Sequence, residues 1–206
     1  LNTSRILLEV GWSYLGLTAW QDWNILNWMK AQSYIDKERV IISGFSLGTE
    51  PLMVLGVLDP SIYAFVYNDF LCQTQERAEV ITMPDKNGRR PFPHSIRHLI
   101  PDFWNNFNFP DIVAALAPRP IILTEGGLDR DLNLVRKAYA IAGAPDNVKV
   151  YHYKKFADPN TRKNVKHLPE GLDRNEYFRM VNVDGPNHYF KSELVVPWLR
   201  ELLEER

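Results

Sequence analysis

Residues 39–58 constrain the fold more than any other stretch. Arg39-Val40-Ile41-Ile42-Ser43-Gly44-Phe45-Ser46-Leu47-Gly48 runs a β-branched segment into Gly-x-Ser-x-Gly, and an apolar, helix-like segment follows from Pro51 to Leu58. A short buried strand, a sharp turn and a helix form the setting that presents a serine nucleophile on a strained turn. Gly44 and Gly48 flank Ser46 where a tight bend would crowd side chains, and one residue near the bend is expected to take a positive φ. Such a turn lifts the Ser46 hydroxyl out of a sheet. It also points the Leu47 amide at the place where an oxyanion would form.

The rest of the chain repeats this alternation. Residues 40–45, 64–70, 121–125 and 148–153 read as strands. Residues 4–14, 18–33, 47–58, 111–116, 131–142 and 189–204 read as helices, several ended by Gly or Pro. Strands that alternate with helices predict an α/β three-layer sandwich with a mostly parallel sheet and helices on both faces. In the second helix Trp20, Trp23, Leu26 and Ile35 mark one face and are expected to pack in the core. Residues 73–110 carry several prolines and aromatics without a sustained period. They read as an insertion with some short helices, placed over a site. Residues 156–180 read as polar and irregular. With 206 residues, the whole of 1–206 is expected to form a single domain with a sizeable core.

Charge and composition remove some classes. The net charge is −1, which supplies no electrostatic case for nucleic acid or an anionic membrane. No apolar run approaches the roughly 18 residues that span a bilayer. The one cysteine, Cys72, excludes an intrachain disulfide and reads as a buried thiol.

A serine hydroxyl needs a base, and the base needs an orienting acid. In parallel sheets these groups gather at the carboxyl ends of strands. Asp129 lies in Glu125-Gly126-Gly127-Leu128-Asp129 after the third strand, and His188 lies in Gly185-Pro186-Asn187-His188 before the last helix. The order Ser46, Asp129, His188 is a triad order. In this reading Ser46 attacks, His188 shuttles the proton, Asp129 orients His188, and Leu47 N–H donates to the oxyanion. Asp131, Asp69 and Glu125 are the rival acids, with Asp69, at the end of the second strand, the serious alternative. Asp184 could support the His188 loop. His152 falls in a strand and His167 in a polar loop. His94 and His98 stand four apart without an evident third ligand, so no metal site is expected.

On these residues the chain resembles the α/β-hydrolase superfamily, within it the acetyl-xylan-esterase-like carbohydrate-esterase branch. The matching stretches are Gly16-Leu17-Thr18-Ala19-Trp20-Gln21-Asp22, the Gly44–Gly48 elbow, and 109–120 (FPDIVAALAPRP). Glu125-Gly126-Gly127-Leu128-Asp129 and Gly185-Pro186-Asn187-His188 complete the set. The resemblance implies a serine carboxylic-ester hydrolase that needs no metal or organic cofactor and acts on acyl, often acetyl, groups of carbohydrate. It also implies periplasmic or secreted work on polysaccharide. A prolyl-oligopeptidase-type peptidase shares the elbow and the triad order, and a non-catalytic hydrolase-like binding module is the reading from another class. Two departures stand out: Leu47 is larger than the residue usual after the nucleophile, and the residues before the elbow strand read as helices. Related domains place several strands there, one of them near a second oxyanion donor. The expectation is therefore the carboxyl-terminal part of a larger hydrolase, its amino-terminal strands missing, completed by a further segment or by oligomerisation.

Overall fold

Among the described residues four short strands build the sheet: β1 (Ile41–Phe45), β2 (Ala64–Asn68), β3 (Ile121–Leu123) and β4 (Val148–Val150). They pair in the order β1-β2-β3-β4, every pair parallel. The computed structural model describes residues 2–82, 88 and 100–204. Among these, β2 and β3 have a neighbour on each side, and β1 and β4 form the edges. His94 and His98, most of the prolines of the 73–110 segment, and the centre of that segment lie outside the described residues.

The helices are α1 (Asn2–Glu9), α2 (Tyr14–Lys30), α3 (Thr49–Leu58), α4 (Thr74–Thr82), α5 (Phe103–Asn106), α6 (Phe109–Ala114), α7 (Asp129–Ile141), α8 (Arg174–Met180) and α9 (Ser192–Glu204). Local chemistry starts several of them. The Ser13 hydroxyl accepts from Gly16 N–H at 2.9 Å and caps α2. Asn108 with Asp111 forms a capping box on α6, and Asp173 with Glu176 does the same for α8. The second box opens a helix inside 156–180, where the polar composition suggested irregular chain. The Asp-x-x-Glu spacing was the available signal.

Side chains alternate across β2, as the pleat requires. Phe65 and Tyr67 enter the larger core with Met53 and Leu55 of α3, Phe109 and Val113 of α6, and Leu132, Val135 and Tyr139 of α7. Ala64 and Val66 face the other way, with Ile122, against Val195 and Trp198 of α9. Helices therefore cover both faces, and the α/β three-layer arrangement holds. Each fully buried large apolar side chain contributes roughly 1.5–3 kcal/mol to this packing. A third cluster sits beyond the carboxyl ends of β2 and β3: Phe70, Cys72, Leu128, Tyr153, Phe156, Tyr177, Val181 and Val183. Through Tyr153, whose hydroxyl donates to Glu125 at 2.7 Å, it adjoins the site described below.

Of the stripe expected to pack in the core, Leu26 is buried there and Ile35 packs against it, but the two tryptophans are not buried. Only Leu15, Ala19 and Leu26 are buried on this helix, while Trp20 is 52% exposed, Trp23 44% and Trp28 62%. The helix is apolar on several sides, so three- and four-residue spacing marks more than one stripe. The side that meets the core is the one with the small Ala19, which lets α3 approach. No helix among the described residues is long and apolar enough to cross a membrane.

Candidate active site

The elbow begins where β1 ends. Ser46 has φ 52°, in the left-handed region that a side chain occupies only under constraint. The constraint is visible. Ser46 opens a single tight turn, Ser46–Gly48, and the Thr49 hydroxyl donates to the Ser46 carbonyl at 2.7 Å. A Cβ on Gly44 would lie 2.6 Å from Thr49 Cα and 2.9 Å from Gly48 O, so the returning α3 backbone passes directly over Gly44. The two flanking glycines therefore differ. Gly44 is required by close approach, whereas a Cβ on Gly48 would meet nothing within 4 Å. The strained φ falls on Ser46 itself.

His188 lies on the loop before α9. Its ring stacks on Phe45, the residue before Ser46, with centroids 4.9 Å apart. Its Nδ1 lies 2.6 Å from Glu125 Oε2. An ionised carboxylate can only accept, so Nδ1 carries the proton and Nε2 keeps a lone pair. Glu125 is fully buried two residues beyond β3. It also accepts from Tyr153 OH at 2.7 Å and from Lys191 Nζ at 2.8 Å. Burial pushes the Glu125 carboxyl up, but the hydrogen bonds from His188, Lys191 and Tyr153 outweigh it and hold the group below its ordinary value. The hydrogen bond to Glu125 raises His188 above its ordinary value, against the effect of burial.

Asp129 does not meet His188. It is the first residue of α7, and its nearest recorded charge is Arg162, 3.7 Å away. Gly126 and Gly127, at φ 68° and 140°, turn the chain under Leu71 and His152, where a Cβ would lie 2.2 Å from an atom of each. By residue 129 the chain has left the end of the sheet. The carboxylate that stays at the strand end is the one before the glycines. Asp131 is held by Gln73 and Arg130, away from the imidazole.

Asp69, fully buried at the end of β2, is closer to the site. Ligand-type atoms of Asp69, Glu125 and His188 lie within 4.8 Å of one another. Asp69 is engaged elsewhere, accepting from Phe70 N–H at 2.9 Å and from Arg77 Nη1 at 3.2 Å. Arg77, on α4, is also 3.7 Å from Glu50 on the helix that follows the elbow. The same three ligand atoms are the metal candidates among the described residues. Each carboxylate already faces a cation, Arg77 or Lys191, which leaves the set poorly suited to a divalent ion. Leu47 and Gly48 line a cavity of about 240 Å³ with Tyr14, Leu15, Thr18, Glu50 and Pro51, directly beside the elbow.

A family model described as an abhydrolase family matches residues 1–201. The chain belongs to that abhydrolase family. Among solved structures, the chain is similar to a crystal structure from Bacteroides fragilis described as a candidate acetyl xylan esterase. The identity is 83% and the TM-score 0.89, over 97% of this chain and 52% of that one. The abhydrolase chain thus spans about half the length of that relative. Two glucuronoyl esterases match more weakly. One, from Caldicellulosiruptor kristjansonii, has 15% identity and a TM-score of 0.46 over 81% of this chain and 56% of that one. One from Solibacter usitatus has 13% identity and a TM-score of 0.49 over 69% and 44%. At these values they carry no argument. No match was found among curated proteins.

Of the residues singled out in this abhydrolase chain's sequence, the structure places Ser46 and Leu47 at the elbow and His188 against Glu125, which the sequence offered only as a rival acid. Sequence reasoning missed Tyr153, Lys191, Asn68 and Arg77. No motif marks them. A lysine three residues after the histidine and an Asn-Asp pair at a strand end are the faint signals.

Proposed function

We propose that this chain carries the nucleophile, base and acid of a serine esterase, with Ser46, His188 and Glu125 as the triad. The observation that carries the reading is the strained Ser46 elbow, whose preceding residue Phe45 stacks on an imidazole with Nδ1 held by a buried carboxylate. Glu125 takes the role expected of Asp129, because it is the acid in contact with His188. In this mechanism Ser46 Oγ attacks the ester carbonyl while His188 Nε2 takes its proton. Leu47 N–H donates to the oxyanion, an interaction worth roughly 2.7–4 kcal/mol for a typical donor. The tetrahedral intermediate expels the alcohol, which receives the proton from Nε2. Water, deprotonated by Nε2, then releases the acid and restores Ser46. Glu125 stays ionised throughout and stabilises the imidazolium. No step calls for a metal or organic cofactor.

The substrate we infer is an acyl ester of carbohydrate, with acetyl as the first candidate. The 83% identical relative described as a candidate acetyl xylan esterase supports it. Among the described residues of the 73–110 segment, α4 reaches the site through the contact of Arg77 with Asp69. We read that segment as bordering the site and 1–206 as one unit with it.

The test is covalent labelling with a fluorophosphonate followed by mass mapping, with Ser46→Ala as control, then acetylated xylan and aminoacyl amides as competing substrates. Label on Ser46 and release of acetate is the expected result. A folded chain that takes no label on Ser46 would remove the esterase reading. Cleavage of the amides alone would replace it with a peptidase.

A further inference from the structure

Lys191 is the buried cation that the triad does not use. The residue is 5% exposed, and every donor of its ammonium is engaged. Nζ donates to Glu125 Oε1 at 2.8 Å, to the Tyr189 carbonyl at 2.9 Å and to the Asn187 carbonyl. It also sits 3.6 Å from the centroid of the Tyr189 ring. Its backbone N–H donates to Asn68 Oδ1 at 2.6 Å, and Asn68 Nδ2 donates to the Tyr189 carbonyl at 3.2 Å. Residues 187–191 are therefore pinned at both ends. Asn68 fixes them to the end of β2, and the ammonium fixes them to the carboxylate beyond β3. His188 lies inside the pinned loop.

We propose that Lys191 is a positioning residue that ties the Glu125 carboxylate to the His188 loop and offsets part of its charge. Geometry supplies the first half. One ammonium holds both the acid and the carbonyl of the residue preceding His188, so the distance between acid and base is set by a third group. Electrostatics supplies the second. An isolated buried carboxylate would hold the imidazolium strongly and leave the base protonated at neutral pH. A cation on the far oxygen of the same carboxylate weakens that hold and keeps Nε2 available. The other groups facing His188 are Tyr153 OH, Asp69 and, behind Asp69, Arg77. Asp69 already has its own cation in Arg77, so Lys191 is the counterion for Glu125. The consequence for turnover rests on the esterase reading; the coupling of Lys191 to His188 does not.

Nitrogen-15 NMR of the full chain reads the coupling without turnover. Buried and fully hydrogen-bonded, the Lys191 ammonium is expected to exchange slowly enough to be seen. Its shift should move with the same midpoint as the His188 ring nitrogens. An ammonium signal that does not move as His188 titrates would overturn the proposal, as would no protected signal at all. In Lys191→Met the His188 midpoint should rise, by about half to one pH unit. A midpoint that stays put or falls toward that of a free histidine means that Lys191 only braces the loop. Should Lys191→Met not fold, the wild-type co-titration decides alone. Labelling of wild-type Ser46, measured in parallel, separates the two ideas. Co-titration without label sinks the esterase and keeps the coupling, while label without co-titration does the reverse.

Discussion

The two halves of the proposed site are built differently. The acid–base half lies at the ends of β2 and β3, which are paired on both sides, and its polar atoms are met within the chain: Glu125 by His188, Tyr153 and Lys191, Asp69 by Arg77. The nucleophile half lies at the end of β1, an edge among the described residues, next to an α2 helix that leaves Trp20, Trp23 and Trp28 exposed. A carboxylate in a low-dielectric setting must be satisfied by nearby donors, or its burial costs several kcal/mol. A hydroxyl on an elbow needs only a backbone held in one strained shape. So the first half demands central strands and converging loops, and the second demands little more than one tight turn.

Substitutions can break this contrast. The largest effect belongs to Ser46→Ala, which should remove fluorophosphonate labelling and lower ester cleavage by at least about 1,000-fold. Next is the acid. Glu125→Gln should cost about 10³–10⁴-fold in the rate of labelling or turnover, whereas Asp129→Asn should stay within about threefold. The opposite ranking would return the acid role to Asp129. Equal large losses from Asp69→Asn and Glu125→Gln would mean that the two carboxylates act as a unit.

The elbow gives the third test. Gly44→Ala places a Cβ against backbone on two sides, so it should destabilise by roughly 1–3 kcal/mol and lose label together with stability. Gly48→Ala has room and a helical φ, and should be neutral or stabilising by about 0.4–1 kcal/mol. Chemical denaturation of both variants compares them directly.

Two histidines sharpen the contrast through pH. His188 is raised above 6.5, chiefly by its hydrogen bond to Glu125. Labelling of Ser46 should therefore rise with pH through a midpoint above 6.5. The stability that His188 contributes is fully present below 6.5 and is lost as pH rises through that same midpoint. His152 is lowered to about 4 by burial and by Arg162. Its contribution is present above 6.5 and is lost as pH falls toward 4. Asp69 and Asp131, raised by burial, act in the opposite sense in wild type and variant alike, so the His152 effect is read as a difference: between pH 6.5 and 4, His152→Gln should lose less stability than the wild type, with the alkaline side unchanged.

The smallest effect should come from α2. Trp20→Lys or Trp28→Lys should change stability by less than about 0.5 kcal/mol while lowering self-association, read by light scattering. A loss of several kcal/mol would show that these indoles pack after all.

Much of this was legible beforehand, for reasons specific to each element. β1 to β3 were visible because short apolar runs bounded by Gly, Pro or charged turns leave few alternatives to a buried strand, and β4 because its apolar and polar residues alternate. Ser46 was visible because Gly44 must lack a Cβ where α3 crosses it. The acid was not, because two carboxylates four residues apart, Glu125 and Asp129, are equivalent on paper. They become different only once Gly126 and Gly127 have turned the chain away. Lys191 was hidden for a related reason, since a lysine at the start of an amphipathic helix is ordinarily solvated. On α2 the burial of Leu26 was legible, but that of Trp20 and Trp23 was misjudged because a helix apolar on several sides does not say which side a neighbour covers.

By itself, then, the amino-acid order determined the local shapes: which segments are strands, where the elbow bends, and that a serine sits at a strand end and a histidine in the loop before the last helix. These follow from steric rules and hydrophobic period, which act over a few residues. Only the tertiary structure decided which carboxylate holds the histidine, which cation holds that carboxylate, and which tryptophans face outward. Those choices depend on atoms brought together from residues 68, 125, 153, 188 and 191, and electrostatic partners in a buried site are set by distance through space.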